Sequence, residues 1–374
     1  TAIKGSALSQ GMPRDSWRMI SIPAQLDNGS VAHNLGDEFG DSKDTRWLIW
    51  QRKGSAWLEA NPLAAGESYW LVQNIANSVP FDVGAGTTVD ARGYELTLNR
   101  GWNMIGSPYP YVIDLALDQT QFYGPITYGI NVEGWTGVVN QLQPWGGYAV
   151  YNRGNALRTV VLNPLKDGAM AKTDGAVAAE PGWRLKLGVE GETYGDGFNY
   201  IGQHPAATED LDHYDNPEPV SPGKYIRLYM PADNERGKVK LSADMRSMDS
   251  EQEIWEVMVD NRGETAPITL SWQLTGDLPE GQEIAVVDMD ARRAYSLSDS
   301  GMSVNEQWDW GIPYPMKVLY GSADWIRSAV HDMLSSLPET FALHQAYPNP
   351  FNPVATIRFD VPQAASVDIR VYNL

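Results

Sequence analysis

The densest group of hard oxygen ligands in the sequence lies at residues 209–218, where Asp210, Asp212, Asp215 and Glu218 fall close together. Calcium takes about six to eight such oxygens, so this run is the candidate metal site and Ca²⁺ the one cofactor the sequence raises. Its spacing departs from the EF-hand loop and lacks that loop's glycine, and a solvated acidic surface loop has the same composition. His204 and His213 lie on either side of its start, but nothing else in the sequence supports a transition-metal or hydrolytic centre there. The second group is aromatic: Trp17, Trp47, Trp50, Trp57, Trp70, Trp102, Trp135 and Trp145, out of 14 tryptophans in the chain, crowd the first 165 residues. Flat rings on a β surface stack on sugar rings while nearby Asp and Asn hold the hydroxyls. Tryptophan at repeated positions of a small β unit instead fills the core. Trp17, Trp102, Tyr69 and Tyr148 occupy repeated positions and are assigned to core. The unrepeated Trp50, Trp57 and Trp145 are the candidate ligand platform.

Catalytic signatures are missing from the sequence. It contains no H-E-x-x-H, G-x-S-x-G, P-loop or G-x-G-x-x-G run, and Gly84-Ala-Gly86 lacks the third glycine and a following helix. The histidines at 33, 204, 213, 331 and 344 are scattered. A serine–histidine–acid triad or a carboxylate pair forms only in space, and among 47 acids any pairing is arbitrary. The chain therefore reads as non-catalytic.

Composition narrows the setting. With no cysteine there is neither a disulfide framework nor a thiol nucleophile or ligand. A net charge of −19 opposes phosphate backbones and anionic membranes, so nucleic acid is not an expected partner. No run reaches the roughly 20 apolar residues of a membrane helix. Residues 1–6 have no basic and apolar leader, so the chain reads as a mature or excised piece of a longer precursor.

The elements that must position these residues are strands. Residues 16–23, with Trp17 and Pro23, return as residues 101–108, with Trp102 and Pro108. Residues 62–72 return near 143–150, aligning Tyr69 with Tyr148. Between them stand the tryptophan segments at 46–50 and 134–135. Residues 1–165 are thus a duplicated β module, with units at about 10–90 and 95–165, each reading strand, loop, strand, turn, strand. Such paired units bury their apolar faces on each other. Residues 166–181, rich in Ala, Gly and charge, read as a linker. From 182 to 325, alternation at 183–189, 225–229, 238–241, 254–259, 268–274, 284–287 and 316–320 predicts an antiparallel β-sandwich, with turns at 261–263 and 275–277. A short helical link is expected at 326–337, its helix over 326–334. The fold class is all-β.

The last stretch is the most specific. Tyr347, Pro348, Asn349, Pro350, Phe351, Asn352 and Pro353 form a segment that cannot lie inside a sheet. Beyond it Ile357, Phe359 and Val361 alternate with polar residues, as do Val367, Ile369 and Val371. This predicts a hairpin-like pair with one buried face. Together with Leu343, Gln345, Thr356, Pro362, Tyr372 and Asn373, these residues resemble the opening of the immunoglobulin-like C-terminal sorting domain of type IX secretion cargo from Bacteroidota and related phyla. Residues 338–374 match that domain's first strands, which leaves its remaining strands outside the chain. The repeats with Trp17 and Trp102 are similar to units common in exported proteins of the same bacteria.

The resemblance implies an extracellular or outer-membrane cell-surface location and the type IX secretion machinery as partner. The expected function is a structural or adhesive β-modular region carrying a sorting signal. The competing reading is an accessory region of a large secreted peptidase or glycanase, with polysaccharide or other cell-surface components as partners of the tryptophan module.

Overall fold

The computed structural model describes residues 11–41, 46–54, 56–129, 134–164, 182–234, 237–264, 267–304, 312–346, 356–362, 365 and 367–370. Strands dominate, and the α-helices of the described residues are Val31–Phe39 and Ala323–Ser335. The chain divides into two compact units. The first comprises residues 1–180 with 193–198 and 211–225; the second comprises 181–192, 199–210 and 226–374.

In the first unit the duplication read from sequence is a duplication of topology. One sheet orders its strands Arg18–Ser21, Ser68–Gln73, Trp47–Lys53, Ala56–Glu59; the other orders Gly101–Gly106, Gly147–Asn152, Phe122–Tyr128, Trp135–Val138 in the same way. Register matches too: Ile20 lies opposite Tyr69 and Ile105 opposite Tyr148. Each tyrosine hydroxyl accepts a backbone N–H five residues upstream, from Ala64 and from Gln143, both at 2.7 Å. Both hydroxyls are thereby satisfied inside a core, where an unmatched one costs about 1–3 kcal/mol.

The strands alternate because their two faces meet different partners. Ile20, Trp47, Ile49, Tyr69 and Leu71 form one core with Phe39 and Phe81. Ile105, Phe122, Tyr148 and Val150 form its counterpart with Leu96 and Leu98. The opposite faces of both sheets join in a third cluster of Met19, Trp70, Met104, Tyr123, Ile126, Tyr128, Trp135 and Ala149. Each large side chain buried there contributes about 1.5–3 kcal/mol. The junction is reciprocal. The Ser21 N–H donates to the Trp145 carbonyl at 2.9 Å, and the Gly106 N–H donates to the Gly66 carbonyl at 3.0 Å. Ile20 bridges Gly146 while Ile105 bridges Glu67. Such an exchange of equivalent contacts is what a pseudo-two-fold axis produces.

Two segments assigned by sequence to the second domain pack in the first unit. Arg153 donates to the Asp215 carbonyl at 2.7 Å and to Asn216 Oδ1 at 2.6 Å, and Val220 packs on the shared aromatic cluster. A Cβ on Gly223 would collide with the Trp17 indole. The Val31–Phe39 helix is likewise absent from the strand-only reading. Val31, Leu35 and Phe39 recur at i, i+4 and i+8 and are buried, but Gly36 interrupts the run and disfavours helix by about 1 kcal/mol.

The main sheet of the second unit contains all seven predicted strands, plus three that sequence reading missed: Gly195–His204, which begins in the first unit, Arg293–Ser296 and Gly301–Val304. They follow one continuous strand order that bends at Ile226–Asn234, whose first half pairs with Glu253–Asn261 and whose second half pairs with Gly237–Ser247, so that the two stretches of the sheet face each other as the layers of the expected sandwich do. Its order runs Arg293–Ser296, Gln282–Asp288, Tyr314–Ser322, Glu253–Asn261, Ile226–Asn234, Gly237–Ser247, Gly195–His204, Trp183–Glu190, Ile268–Thr275, Gly301–Val304. The pairing of residues 200–204 with 243–247 is parallel, a departure from the all-antiparallel expectation. Ring contacts show how one sheet makes a core. Trp183 and Trp255 sit four strands apart, roughly 19 Å in a flat sheet, yet their ring centroids are 5.8 Å apart. Trp272 and Tyr295, near opposite ends of the order, meet at 5.9 Å. The sheet rolls over itself, as a strongly twisted sheet of many strands can. Asn261 makes the predicted turn, its Oδ1 accepting the Gly263 and Glu264 N–H groups at 3.0 and 2.9 Å. The Ala323–Ser335 helix covers Ala285, Val287 and Leu319 through Ile326.

Candidate functional site

The aromatic candidates separate by environment. Trp145 is not a platform residue: it is buried at a left-handed φ of 67° and meets Phe81 edge-on at 6.0 Å. Its place at the pseudo-two-fold crossing, where its carbonyl accepts the Ser21 N–H, makes it core of the first repeat. Tyr69 and Tyr148 are core as expected, whereas Trp17 and Trp102 are half-buried at the edge of the shared cluster. Trp102 packs edge-on against Tyr123 and Tyr151 at 5.8 and 5.3 Å.

Trp50 and Trp57 are half-buried on adjacent strands. The register sets Trp50 opposite Glu59 and Arg52 opposite Trp57, which puts all four on one sheet face with Leu48. The Arg52 guanidinium lies 5.5 Å from the Trp57 ring centre, within cation–π range. Its Nε is shielded without a hydrogen-bond partner, and burial pulls its pKa down. Two indoles beside a cation and an anion can stack on a flat ligand and hydrogen-bond its rim.

In the acidic run, two carboxylates shape the loop. Asp215 Oδ2 accepts the Asp212 N–H at 2.8 Å, and Asp212 Oδ1 accepts the Tyr214 N–H at 2.7 Å. Asp215 and Glu218 are buried. Desolvation lowers the pKa of Arg153, whose guanidinium ties down the same loop. Asp210 belongs by contacts to the other unit.

Among the described residues, the group of acids close enough to share a cation is a different one, Asp37, Glu38 and Asp82, whose carboxylate oxygens lie within 4.8 Å of one another. Sequence reading missed it. Glu38 and Asp82 are 44 residues apart and meet because the Asp82 N–H donates to Glu38 Oε1 at 3.3 Å. Burial, then hydrogen bonding to Asp37, pushes the Glu38 carboxyl up to about 7, while that same bond holds Asp37 below its usual value. The arrangement can hold a proton between neighbouring carboxyls near neutrality.

The histidines stay on separate elements. His33 lies on the first helix beside Gly84, and His204 Nδ1 accepts the Ala206 N–H at 3.1 Å. The His213 ring rests 4.1 Å from that of Tyr214, His331 is on the second helix, and His344 Nε2 lies 2.7 Å from Asp360 Oδ2.

Residues 347–353, the expected sorting motif, lie outside the described residues. Around them, Ala342–Leu343 pairs antiparallel with Phe359–Asp360. The expected buried face is open instead: Ile357, Phe359, Val367 and Ile369 are 38–46% exposed. Arg292 fastens this tail by donating to the carbonyls of Pro338 and Pro362. No family model, curated protein or solved structure matches this chain.

Proposed function

We propose that this chain is a non-catalytic region of an exported bacterial protein, its two β units acting as structural or adhesive bodies at or beyond the cell surface. The tail serves as a type IX sorting signal. The observation that carries the reading is the Tyr347, Pro348, Asn349, Pro350, Phe351, Asn352, Pro353 run with the alternating segments behind it. A −19 charge without cysteine suits a soluble body that crosses compartments of different redox poise. The first unit's buried polar groups are in keeping with a passive role. Its core tyrosine hydroxyls bond backbone amides, and Arg153 bonds a loop.

The half-exposed Trp50 and Trp57, with Arg52 and Glu59 beside them, favour a second reading within the first: the tryptophan unit holds polysaccharide. Export is tested by deleting residues 338 onward in a host with a type IX system. The truncated protein is expected to remain inside the cell envelope. Its arrival in the medium in normal amount would refute the sorting role.

A further inference from the structure

The pseudo-two-fold axis of the first unit passes between residues whose sizes differ in a consistent way. On the first sheet Ser21 pairs with Ser68; on the second, the equivalent pair is Gly106 with Gly147. The two pairs face each other. A Cβ on Gly106 would overlap the Ser21 Cβ and come 2.7 Å from its Oγ and 2.9 Å from the Glu67 carbonyl. A Cβ on Gly147 would overlap the Ser68 Oγ and come 2.7 Å from Met19 Cβ. Neither glycine has a left-handed φ, so the need is for space and not for backbone freedom. Each glycine meets the residue at its own equivalent position, the mark of a site on a two-fold axis. Two residues along the strands, on the same face, the asymmetry reverses. Met19 pairs with Trp70, while the equivalent Met104 pairs with Ala149. Trp70 is fully buried against Tyr128 and Trp135.

We infer that the inner face of the first repeat is a docking surface selective for a repeat with glycine at these two positions, so that the halves of this module pair with each other and not with copies of themselves. Pairing the first repeat with its own copy would set Ser21 on Ser21 and Ser68 on Ser68 with no glycine to receive them. Pairing the second with its copy would leave empty the volume that Trp70 fills. Overlap and void are each destabilising. The buried hydroxyls of Ser21 and Ser68 have no hydrogen-bond partner, which leaves size as the property these serines bring. The inference is independent of the export reading, because it concerns only how repeats choose partners.

The test mimics self-pairing inside the full chain. Gly106→Ser with Gly147→Ser gives a serine-on-serine junction, and adding Ser21→Gly with Ser68→Gly exchanges the two sides. The half-exchanged chain is expected to lose the near-ultraviolet dichroism of the shared aromatic cluster, with its folding equilibrium constant down about 100-fold or more. The full exchange should recover at least about tenfold of that loss. If the half-exchange variant does not fold at all, recovery of soluble folded protein by the second pair of changes is the equivalent result. A half-exchange variant as stable as wild type, or a second pair that only adds to the loss, would overturn the inference. Gly36→Ala, at a helical glycine open to solvent, serves as a control: Ser21→Gly should not alter its effect.

Discussion

Replacing Trp70 by alanine probes the joint between the repeats where it is most concentrated. The indole is fully buried and stands edge-on to Tyr128 at 4.9 Å and to Trp135 at 5.7 Å. Truncating a buried tryptophan costs about 3–5 kcal/mol through lost transfer energy and the cavity left behind, and each aromatic pair adds about 0.5–1.5 kcal/mol. Against this, Trp70 Nε1 is buried without an acceptor, and removing such a donor returns about 1–3 kcal/mol. The net expectation is a loss of about 3–4 kcal/mol. For a unit of roughly 200 residues that is a fall in Tm of about 6–16 °C. Trp70→Phe, which keeps a ring and discards the unmatched N–H, should lose less than half as much. Denaturant titration followed by near-ultraviolet dichroism and tryptophan fluorescence measures both. The structural point is where the loss falls: since Tyr128 and Trp135 belong to the other repeat, both repeats must be destabilised together. A loss under about 1 kcal/mol, or one confined to the first repeat, would refute the shared core.

Two further expectations follow from single sites. Glu38 is held up to about 7 in the folded chain against an ordinary value of 4.5, so the folded state binds its proton more tightly than the unfolded state does. The stabilisation is therefore full below about pH 4.5 and is lost as the pH rises through about 7. The unscreened gap corresponds to about 3 kcal/mol, which solvent exposure reduces to about 1 kcal/mol. The wild-type minus Glu38→Gln stability difference, measured from pH 4.5 to 8, should change by that amount; a flat difference would contradict the assignment. For the carbohydrate reading, a glycan array with wild type and with Trp50→Ala plus Trp57→Ala should show signal that the double variant loses, and silence across plant and microbial glycans would end that reading.

The duplication was legible in the sequence because Trp17 and Trp102, and Tyr69 and Tyr148, repeat in matching contexts, and the structure turns each pair into equivalent positions. The second unit's seven strands were legible from alternation, as in Trp183, Leu185, Leu187 and Val189, all buried. Gly195–His204 escaped because its glycines and polar residues break the period of two. Nothing local encodes the rolling of one sheet, since the contact of Trp183 with Trp255 depends on twist accumulated over intervening strands. The Val31–Phe39 helix was masked by Gly36. Trp145 was misplaced because its burial depends on Phe81, far away in the chain and in the other repeat. The Asp37, Glu38 and Asp82 group was invisible for a similar reason, as only the fold brings residue 82 to the helix. The proline-rich run at 347–353, proposed as a sorting signal, was the reverse case, specific as sequence and tied to no geometry among the described residues.

If the two repeats of the first unit are one cooperative body joined across a pseudo-two-fold axis, their amides must open together. Native-state hydrogen exchange on the full chain, resolved to individual amides, tests it most directly. The N–H groups of Ser21 and Gly106, which cross the axis to Trp145 and Gly66, should share one opening free energy and one denaturant dependence, as members of a single cooperative unit do. Opening of the Gly101–Gly106 strand while Arg18–Ser21 stays protected, or the reverse, would contradict it.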